Sequence, residues 1–339
     1  MDQNRSTTYQ RIGVVGGGAW GTALALAALR AGRETTLWAR EPAVVEAIRG
    51  TRENRDYLPG VTLPEALRAT GDLAEAADCD ALLLVTPAQH LRFACGNLAP
   101  YLPPETPVVI CAKGIELDTH ALMSEAAASA LPSGTPVAIL SGPTFAAEVA
   151  RGLPTAVTLA ARDASVGGAL VEALGSRTFR PYLSDDVVGA QVGGAVKNVL
   201  AIACGVVEGR KLGDNARAAL ITRGLAEISR LALALGGRPE TLMGLSGLGD
   251  LTLTCSSLQS RNMSLGVALG HGRTLAEIQA GRRSVAEGVY TASAVVGLAR
   301  RLGVDMPLCG AVDAILNRGA GLDETIDGLL ARPFREEGY

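Results

Sequence analysis

The sequence predicts a doubly wound α/β domain followed by an all-α C-terminal domain, and three features carry that reading. Short apolar runs alternate with Ala-, Leu- and Glu-rich helical stretches through the first half. A cluster of glycines sits where the first apolar run meets the first helical stretch. Beyond about residue 186, strand-like runs give way to helical periodicity. Strand–helix–strand alternation at this spacing is what a parallel sheet with crossover helices requires.

Taken in order, strands are predicted at residues 11–15, 35–38, 81–85, 108–111 and 137–140, with further β-like runs at 155–160 and 178–183. Helical stretches such as 22–31 and 119–130 lie between them. Ser184-Asp185-Asp186 reads as a helix start, because short polar side chains accept from the first free backbone N–H groups. The domain boundary therefore falls there, with residues 1–186 forming the α/β domain and residues 187–339 the helical one. Helical periodicity then runs over 187–207, 215–234, 261–269, 274–279, 285–302 and 307–317, and no Pro/Ser-rich linker separates the halves.

Composition narrows the functional classes. With 48% hydrophobic and 19% charged residues the chain can build a large core and is not a disordered segment. A net charge of −3 without a basic tract makes nucleic acid a poor partner. The first residues, MDQNRSTTYQ, are polar and carry no secretory signal. Two uncharged stretches reach spanning length, but 12–29 contains five glycines and 126–147 is interrupted by Pro132, Pro136 and Pro143, so neither reads as a bilayer helix. Six Cys lie far apart without a CxxC pair, and the three His stand alone, so neither a disulfide framework nor a zinc site is expected. A reducing cytoplasm fits that cysteine usage.

The first predicted strand runs directly into Gly16-Gly17-Gly18-Ala19-Trp20-Gly21, which opens an apolar helix. A GxGxxG pattern is weak alone and informative between a strand and a helix. Gly16 permits the tight turn, Gly18 lets backbone approach a pyrophosphate, and Gly21 lets helix and strand pack closely. The helix start then faces the phosphates. This is the Rossmann-type arrangement for a dinucleotide. An NAD-selective site expects an acid at the tip of the second strand, whereas here Arg40 sits near the tip and Glu41 follows. Arg40 could hold a 2′-phosphate through its planar fork, which points towards NADP(H) and leaves NAD(H) open. As an ordinary surface arginine it would have no such role.

Lys113-Gly114 and Ser141-Gly142-Pro143-Thr144 each follow a predicted strand, where open α/β sheets bind their ligands. Lys113 is either a ligand-facing cation or a surface charge beside a helix. Lys197 is the only formal charge from Val187 to Val207, and it either snorkels to the surface or lies in a cleft with a lowered pKa, suited to general acid/base work. Residues 244–251 are too rich in glycine for a helix and too apolar for an ordinary surface loop. Ser260-Arg261-Asn262 stands before a helical segment, either as a phosphate cradle or as simple capping with Arg261 solvated.

From Arg11 to about Pro333 the chain closely resembles the bacterial NAD(P)-dependent glycerol-3-phosphate dehydrogenases. The resemblance rests on Gly16–Gly21, Tyr57-Leu58-Pro59-Gly60, Lys113-Gly114-Ile115-Glu116 and Ser141-Gly142-Pro143-Thr144-Phe145-Ala146 in the first half. In the second half it rests on Val196-Lys197-Asn198-Val199, Gly247-Leu248-Gly249-Asp250-Leu251, Ser260-Arg261-Asn262 and Val285-Ala286-Glu287-Gly288. It implies reversible reduction of dihydroxyacetone phosphate to sn-glycerol 3-phosphate, without a metal, in support of phospholipid synthesis. It implies Lys197 as proton donor and acceptor, with Lys113, Asp250 and Asn262 around the reacting centre, and Gly142, Thr144, Ser260 and Arg261 holding the substrate. Gly16, Gly18, Ala19, Trp20, Gly21, Arg40, Tyr57, Lys113, Ala146, Arg261, Val285 and Glu287 would line the cofactor site. Ala19 departs from the family, which usually has Ser there, so one side-chain contact to the cofactor phosphates is missing. The Ala- and Leu-rich helical half also offers a face for a homodimer.

Overall fold

In the computed structural model, which describes residues 9–280 and 286–334, ten strands are formed among the described residues. They are β1 (Arg11–Val15), β2 (Glu34–Trp38), β3 (Glu53–Asn54), β4 (Leu58–Thr62), β5 (Arg68–Thr70), β6 (Ala81–Leu84), β7 (Val108–Ile110), β8 (Val137–Ser141), β9 (Thr155–Ala161) and β10 (Phe179–Ser184). Eight build one sheet in the order β10-β9-β8-β7-β6-β1-β2-β5, and β3 and β4 pair separately. Every residue of β6 and β7 is buried, as central strands covered on both faces require. The chain leaves β1 towards β2 and β5 on one side and returns to β6, β7 and β8 on the other. Strand order therefore reverses beside the carboxyl end of β1, where the glycine cluster lies.

All seven expected strands form within a residue or so of their predicted ends. Two features carried too little signal to be expected. The first is β5, a three-residue edge strand, too short to show a period. The second is the β3–β4 hairpin, whose register slips at Glu53/Asn54. One pairing breaks the parallel pattern, since β9 runs antiparallel to β8 while β10 is parallel to β9.

The chain divides into two compact units. The first takes residues up to Ala112 together with Met123–Val187, and the second takes Lys113–Leu122 together with residues from Val188 onward. The short Lys113–Leu122 segment thus belongs with the helices, although it lies among the strands in sequence. Ile115 and Leu122 bridge one another and are buried in the second unit's core. His120, in the left-handed region at φ 58°, sets its ring where Gly297 has no side chain: a Cβ at Gly297 would lie 2.3 Å from it.

The second unit is built around the Val187–Gly209 helix. By length and apolarity this helix could cross a membrane, but 89% of its apolar window is buried inside the protein, and most of its apolar residues belong to the second unit's core. It crosses the Arg261–Gly270 helix through glycines. Cβ atoms added at Gly205 and Gly266 would lie 2.1 Å from the Met263 carbonyl oxygen and 2.0 Å from that of Ile202. Residues 244–251 correct a sequence expectation, because they are helical. A wide turn over Leu245–Gly249 runs straight into the Asp250–Cys255 helix. Its glycines serve close packing: a Cβ at Gly247 would sit 2.0 Å from the Leu242 carbonyl oxygen.

Candidate active site

In the first unit the glycine turn has the geometry a dinucleotide phosphate needs. Gly16 has φ +135°, and a Cβ there would meet the Val85 carbonyl oxygen of the neighbouring strand at 2.7 Å. A Cβ at Gly21 would lie 1.8 Å from the Gly16 carbonyl oxygen, so strand and helix approach as closely as expected. Gly18 differs: a Cβ there would meet nothing within 4 Å, so the missing side chain leaves room outside the protein's own packing. The Ala19–Arg30 helix begins directly after Gly18 with neither a side-chain cap nor an acid in its first turn. Such a start favours an anionic ligand. These residues fit the diphosphate of NAD(P)H.

The other predicted contacts of this unit lie at strand ends or beside them. Arg40, after β2, is largely exposed and pairs with Glu41 at 2.8 Å. Tyr57 sits in the β3–β4 hairpin, half exposed, and Trp20 is half-buried on the first helix with its indole N–H buried and unpartnered. Gly142, just past β8, has φ +152°, and a Cβ there would press on Val157 Cα at 2.9 Å, so both backbone and packing call for glycine. Thr144 Oγ1 donates to the Gly142 carbonyl at 3.3 Å, and Ala146 opens the next helix.

In the second unit, Asp250 is fully buried and both of its oxygens are taken by lysines. Lys113 Nζ reaches Oδ2 at 2.7 Å, and Lys197 Nζ donates to Oδ1. Lys197 also donates to Thr254 Oγ1 at 2.9 Å. Two lysines against one carboxylate leave a net positive charge when both are protonated, a setting for an anion or a developing alkoxide. Burial lowers the Lys197 pKa to about 8, against the pull of Asp250 and with help from Lys113. Of the two readings of Lys197, the structure gives the buried one.

A chain of amides holds this group. Gly288 N–H donates to Asn262 Oδ1 at 3.0 Å, Asn262 Nδ2 to Asn198 Oδ1 at 2.9 Å, and Asn198 Nδ2 to the Lys113 carbonyl at 3.2 Å. Ser260 caps the Arg261–Gly270 helix by accepting from Met263 N–H at 3.2 Å, while Arg261 is exposed beside it. Glu287 opens the helix that contains Gly288, and Val285 lies outside the described residues. Asn198 and Thr254 were not singled out in sequence as site residues. Their partners are 85 and 57 positions away, and the only local sign was that each lies near a lysine or an acid of interest.

A largely parallel sheet with an open glycine turn, together with a buried carboxylate shared by a buried and a part-buried lysine, defines a two-unit NAD(P)-dependent dehydrogenase. The models for the N-terminal and C-terminal parts of NAD-dependent glycerol-3-phosphate dehydrogenase match residues 11–167 and 186–327. A glycerol-3-phosphate dehydrogenase (NAD(P)+) of Parvibaculum lavamentivorans is 60% identical over 97% of this chain and 98% of its own. Its counterpart from Rhodospirillum rubrum is 62% identical over 96% and 94%. The crystal structure of glycerol-3-phosphate dehydrogenase from Coxiella burnetii superposes with a TM-score of 0.91 at 40% identity, covering 95% of this chain and 99% of that one. The chain belongs to the glycerol-3-phosphate dehydrogenase family.

Proposed function

We propose that this chain catalyses the reversible NAD(P)H-dependent reduction of dihydroxyacetone phosphate to sn-glycerol 3-phosphate in the cytoplasm, supplying glycerophospholipid synthesis. The observation that carries the reading is the Lys113–Asp250–Lys197 group, centred on the buried Asp250, in a chain of this family. NAD(P)H, when bound, supplies the hydride that the C2 carbonyl carbon takes up. Lys197 Nζ gives its proton to the alkoxide forming at that carbon, and recovers one in reverse. Asp250 keeps Lys197 in place against burial, and Lys113 adds positive charge where the oxygen becomes negative. Asn262 acts from within the amide chain, since its Oδ1 and an Nδ2 hydrogen are already engaged. Gly142, Thr144, Ser260 and Arg261 are the proposed substrate contacts, with Arg261 and the helix start behind it suited to the phosphate. The proposed dinucleotide contacts are Gly16, Gly18, Ala19, Trp20, Gly21, Arg40, Tyr57, Ala146, Val285 and Glu287, with Lys113 and Arg261 shared. The assay is NADPH absorbance with dihydroxyacetone phosphate. Steady oxidation is expected, and turnover only with an unphosphorylated keto acid would overturn the reading.

A homodimer is part of the same proposal. The Leu322–Leu330 helix has no buried residue, although it carries Leu322, Ile326, Leu329 and Leu330. Leu330 is 80% exposed and lines an apolar groove with Leu212, Ile315 and Phe334. Exposed apolar surface of this kind marks an interaction site, and a second copy of the chain is the proposed occupant. Light scattering should give twice the chain mass, and Leu330→Glu should shift it to one chain. A wild-type monomer would refute the dimer.

A further inference from the structure

Asn54 lies on the two-residue strand β3 and is 1% exposed. Its Nδ2 donates to the Gly17 carbonyl at 2.8 Å and to Thr22 Oγ1 at 2.8 Å. Thr22, itself fully buried, spends its hydroxyl proton on the Gly18 carbonyl at 3.0 Å. Chemistry fixes the orientation of the amide: the Gly17 carbonyl can only accept, and the Thr22 hydroxyl has no proton left to give. Two successive carbonyls of the glycine turn are thereby held from the protein side. In a trans peptide the C=O and the following N–H point in opposite directions. Holding the Gly17 and Gly18 carbonyls inward therefore turns the Gly18 and Ala19 N–H groups outward, on the side where Gly18 leaves open space.

Asn54 Oδ1 is buried without a hydrogen-bond partner. Both Nδ2 hydrogens of Asn54 are spent on the glycine turn and the helix that follows it, not on the hairpin that carries the residue. We propose that Asn54 is a positioning residue for dinucleotide binding: through Gly17 and Thr22 it presets the glycine turn so that its N–H groups meet the cofactor diphosphate. The proposal rests on the dehydrogenase reading above. It also joins the turn to the β3–β4 hairpin, on which Glu53 accepts from the Gly60 N–H at 2.8 Å and Tyr57 is carried.

Because NADH and NADPH share the diphosphate, the effect should be blind to the 2′-phosphate. Fluorescence titration of Asn54→Ala should show Kd for both dinucleotides raised by a similar factor, roughly tenfold. The KM for dihydroxyacetone phosphate and kcat at saturating cofactor should stay near wild type. Thr22→Val should weaken both dinucleotides in the same way, and Thr22→Ser, which keeps the hydroxyl, should restore them. Wild-type affinity in a folded Asn54→Ala protein, with only its Tm lowered, would overturn the proposal and leave Asn54 structural. Loosening of NADPH alone would overturn it as well. Should Asn54→Ala fail to fold, unchanged Kd values in Thr22→Val would be decisive against it. Wild-type protein that binds neither dinucleotide would instead sink the dehydrogenase reading, and the role of Asn54 with it.

Discussion

A carboxylate as fully buried as Asp250 is tolerable only because both oxygens face cations, and that same bargain sets the chemistry of Lys197. Desolvation favours the neutral amine and brings its pKa to about 8, so both protonation states are reached near neutral pH. Reduction needs the ammonium form. Its rate should therefore be full below about 8 and fall as pH rises through that value, while oxidation of glycerol 3-phosphate should rise over the same range. Pre-steady-state rates in both directions across pH 6–10 check the sign. Lys197→Met should cut kcat by roughly 10²–10⁴-fold with NADPH affinity retained. Lys197→Arg should fail too, because a guanidinium does not release its proton in this range. Near-normal turnover in the Met protein would leave Lys113 as the proton donor. Arg40 stands at an exposed position, and its pair with Glu41 is too solvated to hold it strongly, so its planar fork is left available to a 2′-phosphate. Arg40→Ala should weaken NADPH about ten- to a hundredfold and NADH much less, by titration of each. Equal losses would show that Arg40 does not read the 2′-phosphate.

Between elements, the positions that matter most are glycines at a helix crossing. Gly266 stands 2.0 Å, measured from an added Cβ, from the Ile202 backbone oxygen, which cannot move aside as a flexible side chain could. Gly266→Ala should therefore cost roughly 1–3 kcal/mol by overpacking. It should also lower kcat, since the two crossing helices carry Lys197 and Asn262. Gly310→Ala is the control, because a Cβ there meets nothing within 4 Å in the Pro307–Asn317 helix, so removing a helical glycine should stabilise by about 0.5–1 kcal/mol. Denaturant unfolding of both proteins separates the cases, and equal stability of the two would refute the crossing argument. The same glycines show how far the sequence is legible. Gly205 reads as a small residue at helical spacing, but nothing local names Gly266 as its neighbour, because tertiary packing chooses crossing partners. Residues 244–251 mislead for the same reason: glycine lowers helix propensity, and the close approach of Gly247 to Leu242 overrides that preference. The strands were legible because their apolar runs are continuous, and Gly16, Gly18 and Gly21 because a strand and a helix frame them. Lys197 announced itself as a lone charge. The segments that hold Asp250 and Asn262 stood out as unusual, but a place at the reacting centre came to either residue only through the family resemblance, since their partners lie 53 and 64 positions away.

At the scale of the whole molecule, sequence continuity and compactness disagree over one segment. A cut at 186/187 would leave Lys113–Leu122 with the strands, yet that segment belongs to the helical unit. It gives the unit Ile115 and Leu122 for its core, and the His120 ring that fills the notch at Gly297. It gives the Thr119 carbonyl to Arg301 at 3.3 Å and the Lys113 carbonyl to Asn198 at 3.2 Å. It also supplies the Lys113 ammonium, without which Asp250 keeps only one of its two cations. A fragment of residues 187–339 would lose all of these at once, and removing one partner of a buried ion pair alone costs about 3–5 kcal/mol. That is a large part of the roughly 5–15 kcal/mol that stabilises an ordinary domain. The fragment should therefore unfold broadly and at low temperature. A second fragment with residues 113–122 joined ahead of 188 by a flexible linker should recover a cooperative transition. Calorimetry on both decides the matter. A sharp transition in the shorter fragment, at the temperature of the longer one, would show that the helical unit stands without the segment and that Lys113 is held there for chemistry alone.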